Sequence, residues 1–166
     1  AGNTAPNLAS NPPSGTANGT FNGTMSQGAS GTCGGALQNT GGPSSSKYFN
    51  TGWAPNLTNS SWTLSFIASG FTSASNNSFV LGCGFDYTPN YMLVTYNSSS
   101  NAGFILRGSS SNFLLSTPAA VGPSSKTVTF VYDRIAQQVR SYVDGVLSNT
   151  LNISIPVDII APNFYI

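Results

Sequence analysis

A chain of 166 residues fits one domain with a single core of ordinary size. Only 5 % of its residues are charged, against a usual share of about a quarter, and a net charge of +1 gives no field to capture nucleic acid or an anionic membrane. The absence of histidine and glutamate removes Ser-His-Asp and Cys-His chemistry, while 39 % hydrophobic and 11 % aromatic residues exclude a disordered polymer.

Residues 1–30 are Gly, Asn, Ser, Thr and Pro with few hydrophobic side chains, and read as an extended polar arm or a set of loops. The opening AGNTAP is the start that a cleaved signal peptide leaves, as would any excision. Residues 31–166 read as one domain of short extended pieces. In SWTLSFIASGF (61–71), Trp62, Leu64 and Phe66 point one way and Thr63 and Ser65 the other, a half-buried strand. SFVLGCGF (78–85) follows, its glycines marking a bulge or a close backbone approach. YMLVTY (91–96) and GFILRG (103–108) pair across a polar run, and NFLLS (112–116) comes next.

KTVTFVYD (126–133) puts Val128, Phe130 and Tyr132 on one face, and QVRSYV returns after a tight connection. Asp144-Gly145 between YV and VL is the strongest short hairpin signal in the chain. VLSNTLNIS, PVDII and NFYI supply three last extended pieces. No stretch keeps a 3.6-residue hydrophobic period, and none is long and apolar enough to span a bilayer. Nine or so short strands joined by turn residues predict an all-β, two-sheet antiparallel sandwich.

Four charges gather in VYDRIAQQVRSYVDG: Asp133, Arg134, Arg140 and Asp144. Their positions, in two turns and on one sheet face, predict a structural rather than a catalytic role. Glycoside hydrolysis needs a pair of carboxylates flanking the sugar bond. Asp86, Asp133, Asp144 and Asp158 are all the carboxylates available, and their spacing forms no ligand run for calcium and no evident pair. The chain is therefore expected not to be an enzyme and to carry no cofactor, calcium being possible but unsupported by the sequence.

Cys33 and Cys83 lack metal-ligand spacing, and no histidine could complete a zinc site. A disulfide is the favoured reading, with two buried free thiols as the alternative. Closing a loop of that size would contribute about 4 kcal/mol on the chain-entropy model and would put the protein outside the reducing cytosol. Candidate N-glycosylation sequons begin at Asn18, Asn22, Asn56, Asn59, Asn76, Asn97 and Asn152, a weak excess over what so Ser/Thr-rich a chain yields by chance.

The segments CGGALQN (33–39), KYFNTGWAPNLTNSSWTLSFIASGF (47–71) and TVTFVYDRIAQQVRSYVDGVLSN (127–149) resemble laminin-G-like, concanavalin A-like jelly-roll domains of secreted and surface proteins, particularly bacterial ones. Trp62-Thr63 matches the strand that opens with Trp-Thr, and Tyr132-Asp133 with Tyr142 to Gly145 matches the hairpin, the most specific part. The resemblance covers about residues 20–166. It implies a jelly roll in 31–166 that stops before the closing strand of such domains. The chain would then be a fragment, or would receive a strand from elsewhere.

Three functions are compatible with these features. A non-catalytic extracellular module acting in adhesion or assembly comes first, as a subunit of a filament or surface layer that exchanges a strand or its arm with copies of itself. A lectin-like carbohydrate-binding module comes second. There the resemblance implies that exposed rings stack on sugars, and Trp53, Tyr87 and Tyr91 are the candidates. Trp53 beside Pro55 could equally pack over the end of the sandwich, and Tyr91 could belong to the core. Catalysis comes last.

Overall fold

In the computed structural model the described residues are 4–5, 18–31, 34–39, 46–69, 78–83, 90–96, 102–108, 112–117 and 124–166, and among them the chain is all β. The strands are β1 (Thr4–Ala5), β2 (Gly19–Asn22), β3 (Met25–Gly31), β4 (Gly34–Asn39), β5 (Tyr48–Asn50), β6 (Trp62–Ala68) and β7 (Ser78–Cys83). They continue as β8 (Tyr91–Tyr96), β9 (Ala102–Arg107), β10 (Asn112–Thr117), β11 (Lys126–Asp133), β12 (Gln138–Val143) and β13 (Val146–Asn152). The polar first thirty residues, expected as an arm or loops, thus contribute β1, β2 and β3. Met25 and Phe21 are the hydrophobic residues that give the last two a half-buried face.

One sheet has the order β13-β12-β11-β6 and is antiparallel throughout. Strict alternation buries Val128, Phe130 and Tyr132 of β11 completely, with Val139 and Ser141 of β12 beside them. The other sheet has two described parts, β1-β2-β5 and β10-β9-β8-β7. Phe104 of β9 stacks on Phe130 at 4.4 Å and meets Trp62 edge-on at 6.0 Å, so the two sheets press face to face. Strands β3 and β4 form a separate hairpin with a register shift between Gln27 and Ala29, where Gly28 takes a φ of +100°.

The turns follow their local chemistry. Asp133 Oδ1 accepts the backbone N–H groups of Ile135 and Ala136, closing the β11–β12 connection. Asp144 and Gly145 both have positive φ, +49° and +80°, as the two-residue hairpin between β12 and β13 requires.

Residues 158–166 run antiparallel to 49–59 as an irregular ladder. Leu57 N–H donates to Ile159 O, Ala161 N–H to Pro55 O, Thr51 N–H to Phe164 O, and Phe49 and Ile166 exchange a pair of bonds at 2.7 and 2.9 Å. Tyr165 also exchanges bonds with Gly82 of β7, at 2.8 and 2.9 Å. The final residues therefore lie between β5 and β7 and stitch the two parts of the long sheet together. PVDII and NFYI, expected as strand pieces, are this ladder, and its inward residues Val157, Ile159 and Phe164 join the core.

Candidate functional site

The knot of charge holds turns. Arg140 Nη2 donates to Asp133 Oδ2 at 3.2 Å, across the connection that Asp133 caps. Arg134 Nη1 donates to Asp158 Oδ1 at 2.7 Å, its Nη2 to Asn59 Oδ1, and its backbone N–H to Ser61 Oγ. Lys126 Nζ donates to Asp144 Oδ2 at 2.6 Å, while Thr127 N–H donates to Oδ1 of the same carboxylate. The Lys126 hydrogen bond and then the Thr127 N–H hold the exposed Asp144 carboxyl below its ordinary value. Each carboxylate of the described residues is thus committed to an ion pair. Among the described residues no three acidic, thiol or imidazole groups gather as a metal site.

The expected aromatic candidates part company. Tyr91 is 6 % exposed and sits in the core cluster, so it offers no ring face to a ligand. Trp53 is half-buried, its ring 5.3 Å from Phe164 in a tilted contact, with its backbone N–H donated to Thr51 Oγ1. It packs over the end of the sandwich and keeps part of its surface in solvent. Tyr87 lies outside the described residues, as do Cys33, Asp86, Asn76 and Asn97. Cys83 is a buried free cysteine, and its expected disulfide partner falls in that outside group. Of the sequons, Asn18, Asn56, Asn59 and Asn152 are exposed and Asn22 is half-buried.

The ladder assembles a group that the sequence did not announce. Phe164 is buried, so alternation turns Tyr165 to the outer side of the long sheet. There it meets Tyr48 of β5 edge-on, with ring centroids 5.4 Å apart and planes at 88°. Asn50 faces Tyr165 across an antiparallel bridge and donates from Nδ2 to Asn163 Oδ1 at 3.3 Å. Its own Oδ1 accepts the N–H of Gly52, whose φ of +74° carries the chain on to Trp53. Tyr48, Asn50, Asn163 and Tyr165 therefore form one strip of half-buried rings and amides.

A ring plane beside amide donors and acceptors suits a polyhydroxylated ring, whose C–H face stacks while its hydroxyls bond. A competing depression of about 220 Å³ lies among Ser61, Trp62, Thr63, Val131, Tyr132 and Asp133. Its one carboxylate already accepts from Arg140, Ile135 and Ala136. Both KYFN and NFYI show alternating aromatics, but nothing local says that residues more than a hundred positions apart are neighbours.

No protein-family model and no curated protein matches the sequence. Solved structures do. Domain 4 of AbnA, a GH43 extracellular arabinanase from Geobacillus stearothermophilus, in complex with arabinotriose, aligns with a TM-score of 0.63 and 18 % identity over 90 % of this chain and 72 % of that one. The fold is a concanavalin A-like, laminin-G-like jelly roll. The binding domain of Paraclostridial Mosquitocidal Protein 1 shares this jelly roll with a TM-score of 0.69 and 11 % identity, over 89 % of this chain and 38 % of that one. The CBM40 of the Ruminococcus gnavus IT-sialidase, bound to α2,3-sialyllactose, aligns with a TM-score of 0.52 and 19 % identity over 63 % of this chain. The match spans 61 % of that sialidase module's own length. Among the described residues no helix is long and apolar enough to cross a membrane.

Proposed function

We propose that this chain is an extracellular, non-catalytic carbohydrate-binding module, with the strip around Tyr48 and Tyr165 as its contact surface. The observation that carries the reading is the jelly roll shared over 90 % of the chain with an arabinanase domain solved with arabinotriose. The CBM40 bound to α2,3-sialyllactose points the same way. Adhesion or self-assembly, put first by the sequence, finds no counterpart in these relatives, and sugar binding takes its place. A non-catalytic role is supported by the lack of histidine and glutamate and by the ion pairing of every described carboxylate. An extracellular setting is supported by the arabinanase domain, which comes from an extracellular enzyme.

Calorimetric titration of the full chain with arabinotriose and with α2,3-sialyllactose tests the reading. Heat from at least one sugar, abolished by Tyr165→Ala and kept by Tyr165→Phe, is expected. Release of reducing ends from arabinan, or filaments by negative-stain microscopy without sugar binding, would overturn it.

A further inference from the structure

We infer that the ligand of the Tyr48–Tyr165 strip is a neutral oligosaccharide, one carrying no carboxylate, sulfate or phosphate. This rests on the carbohydrate-binding reading and narrows it. The basis is where the cations are. Lys126, Arg134 and Arg140 are bonded to Asp144, Asp158 and Asp133 at 2.6, 2.7 and 3.2 Å. Lys126–Asp144 and Arg140–Asp133 belong to the four-stranded sheet and its turns. Arg134–Asp158 sits at the Asn59 end of the ladder, and the seven residue steps from Asp158 to Tyr165 span on the order of 20 Å.

Two further cations, Lys47 and Arg107, remain. Lys47 precedes Tyr48, but its stem lies against the β2–β3 turn, where a Cβ built on Gly23 would sit 2.8 Å from Lys47 Cγ. Arg107 ends β9, and the sheet order through β7 and β8 puts that strand three steps from Tyr165, about 14 Å. The polar equipment at the strip is therefore amide and phenol.

Asn163 Nδ2 has no acceptor among the described residues, and Tyr48 Oη no partner there. Both bond hydroxyls without calling for charge. An anionic sugar would have to shed water from its charge at a half-buried surface built of amides and phenols, and desolvation opposes that. A neutral pyranose or furanose loses nothing of the kind when its C–H face covers a ring.

The test is a glycan array carrying neutral, sialylated and sulfated oligosaccharides, probed with the full chain at about 0.01 M and about 1 M NaCl, where the screening length falls from about 30 to about 3 Å. Binding confined to neutral sugars, changing by less than about twofold between the salts, is expected because no ion pair is screened. Tyr165→Ala should remove these signals and Lys47→Gln should keep them. Signals on acidic sugars that fade in high salt and disappear in Lys47→Gln would overturn the neutral class while leaving sugar binding in place. Neutral-sugar signals that survive Tyr165→Ala would overturn the strip as the site. An array without signal would remove the carbohydrate reading itself.

Discussion

Tyr132 Oη accepts a hydrogen bond from the backbone N–H of Val157 at 2.8 Å, and both residues are fully buried. The bond ties the central strand β11 to the point where the chain turns into its terminal ladder. A buried N–H deprived of its acceptor bears its whole desolvation cost, so Tyr132→Phe should destabilise by about 1–3 kcal/mol. Urea unfolding followed by tryptophan fluorescence measures this. An unchanged midpoint would mean that the N–H finds another acceptor.

Trp53 and Phe164 lock the ladder over the sandwich's end. Trp53→Ala removes a half-buried ring and its contact with Phe164, and should cost about 1–3 kcal/mol in the same unfolding experiment. Ile135, 95 % exposed in the β11–β12 connection, is the internal control, and Ile135→Ser should stay within about 0.5 kcal/mol of the parent. Equal effects at the two positions would deny Trp53 its packing role.

Asp144 should make a small contribution to acid sensitivity. Its carboxyl titrates lower in the folded chain than the usual value of about 3.9, so the stabilisation is complete above that value and is lost as pH falls through the lower folded one. Asp144→Asn keeps a residue that tolerates the positive φ but loses the charge that pairs with Lys126. The melting temperatures of variant and parent should differ slightly at neutral pH and converge in strong acid. The difference should shrink in salt because the pair is exposed. A gap that widens on acidification would contradict the pairing.

Cys83 should behave as a core residue. Burial pushes its thiol up against the weaker opposing pull of the Met92 and Cys83 backbone, so little thiolate is present to react. Peptide mapping after iodoacetamide treatment is expected to find Cys83 unlabelled in the native chain and labelled in denaturant. Labelling that needs reductant as well would instead identify the disulfide with Cys33. Rapid labelling of the native chain would contradict the burial.

The readable parts of this protein are those governed by neighbours in sequence. The alternation in TVTFVYD placed Val128, Phe130 and Tyr132 inside, because successive side chains of a strand point to opposite faces. Asp144-Gly145 announced its turn because few residue pairs accept two positive φ values in succession. The charges around it were read as scaffolding, and each is found in a turn or an ion pair. Trp53 and Tyr91 were less legible. Both are aromatic residues in loop-to-strand contexts, and only the packing of distant segments sets how much of each ring meets water.

The proposed contact strip lay further from view. Asn50 and Asn163 are 113 positions apart, and the entropy of closing so long a loop changes too slowly with its length to favour one pairing over another. The amino-acid sequence by itself determined the all-β class, the hairpins and the lack of histidine and glutamate, because periodicity, turn geometry and side-chain chemistry are local. The tertiary structure alone decided that residues 158–166 lie between β5 and β7 and turn Tyr165 toward Tyr48. That depends on which sheet edges remain to be bonded once every other strand has found its place.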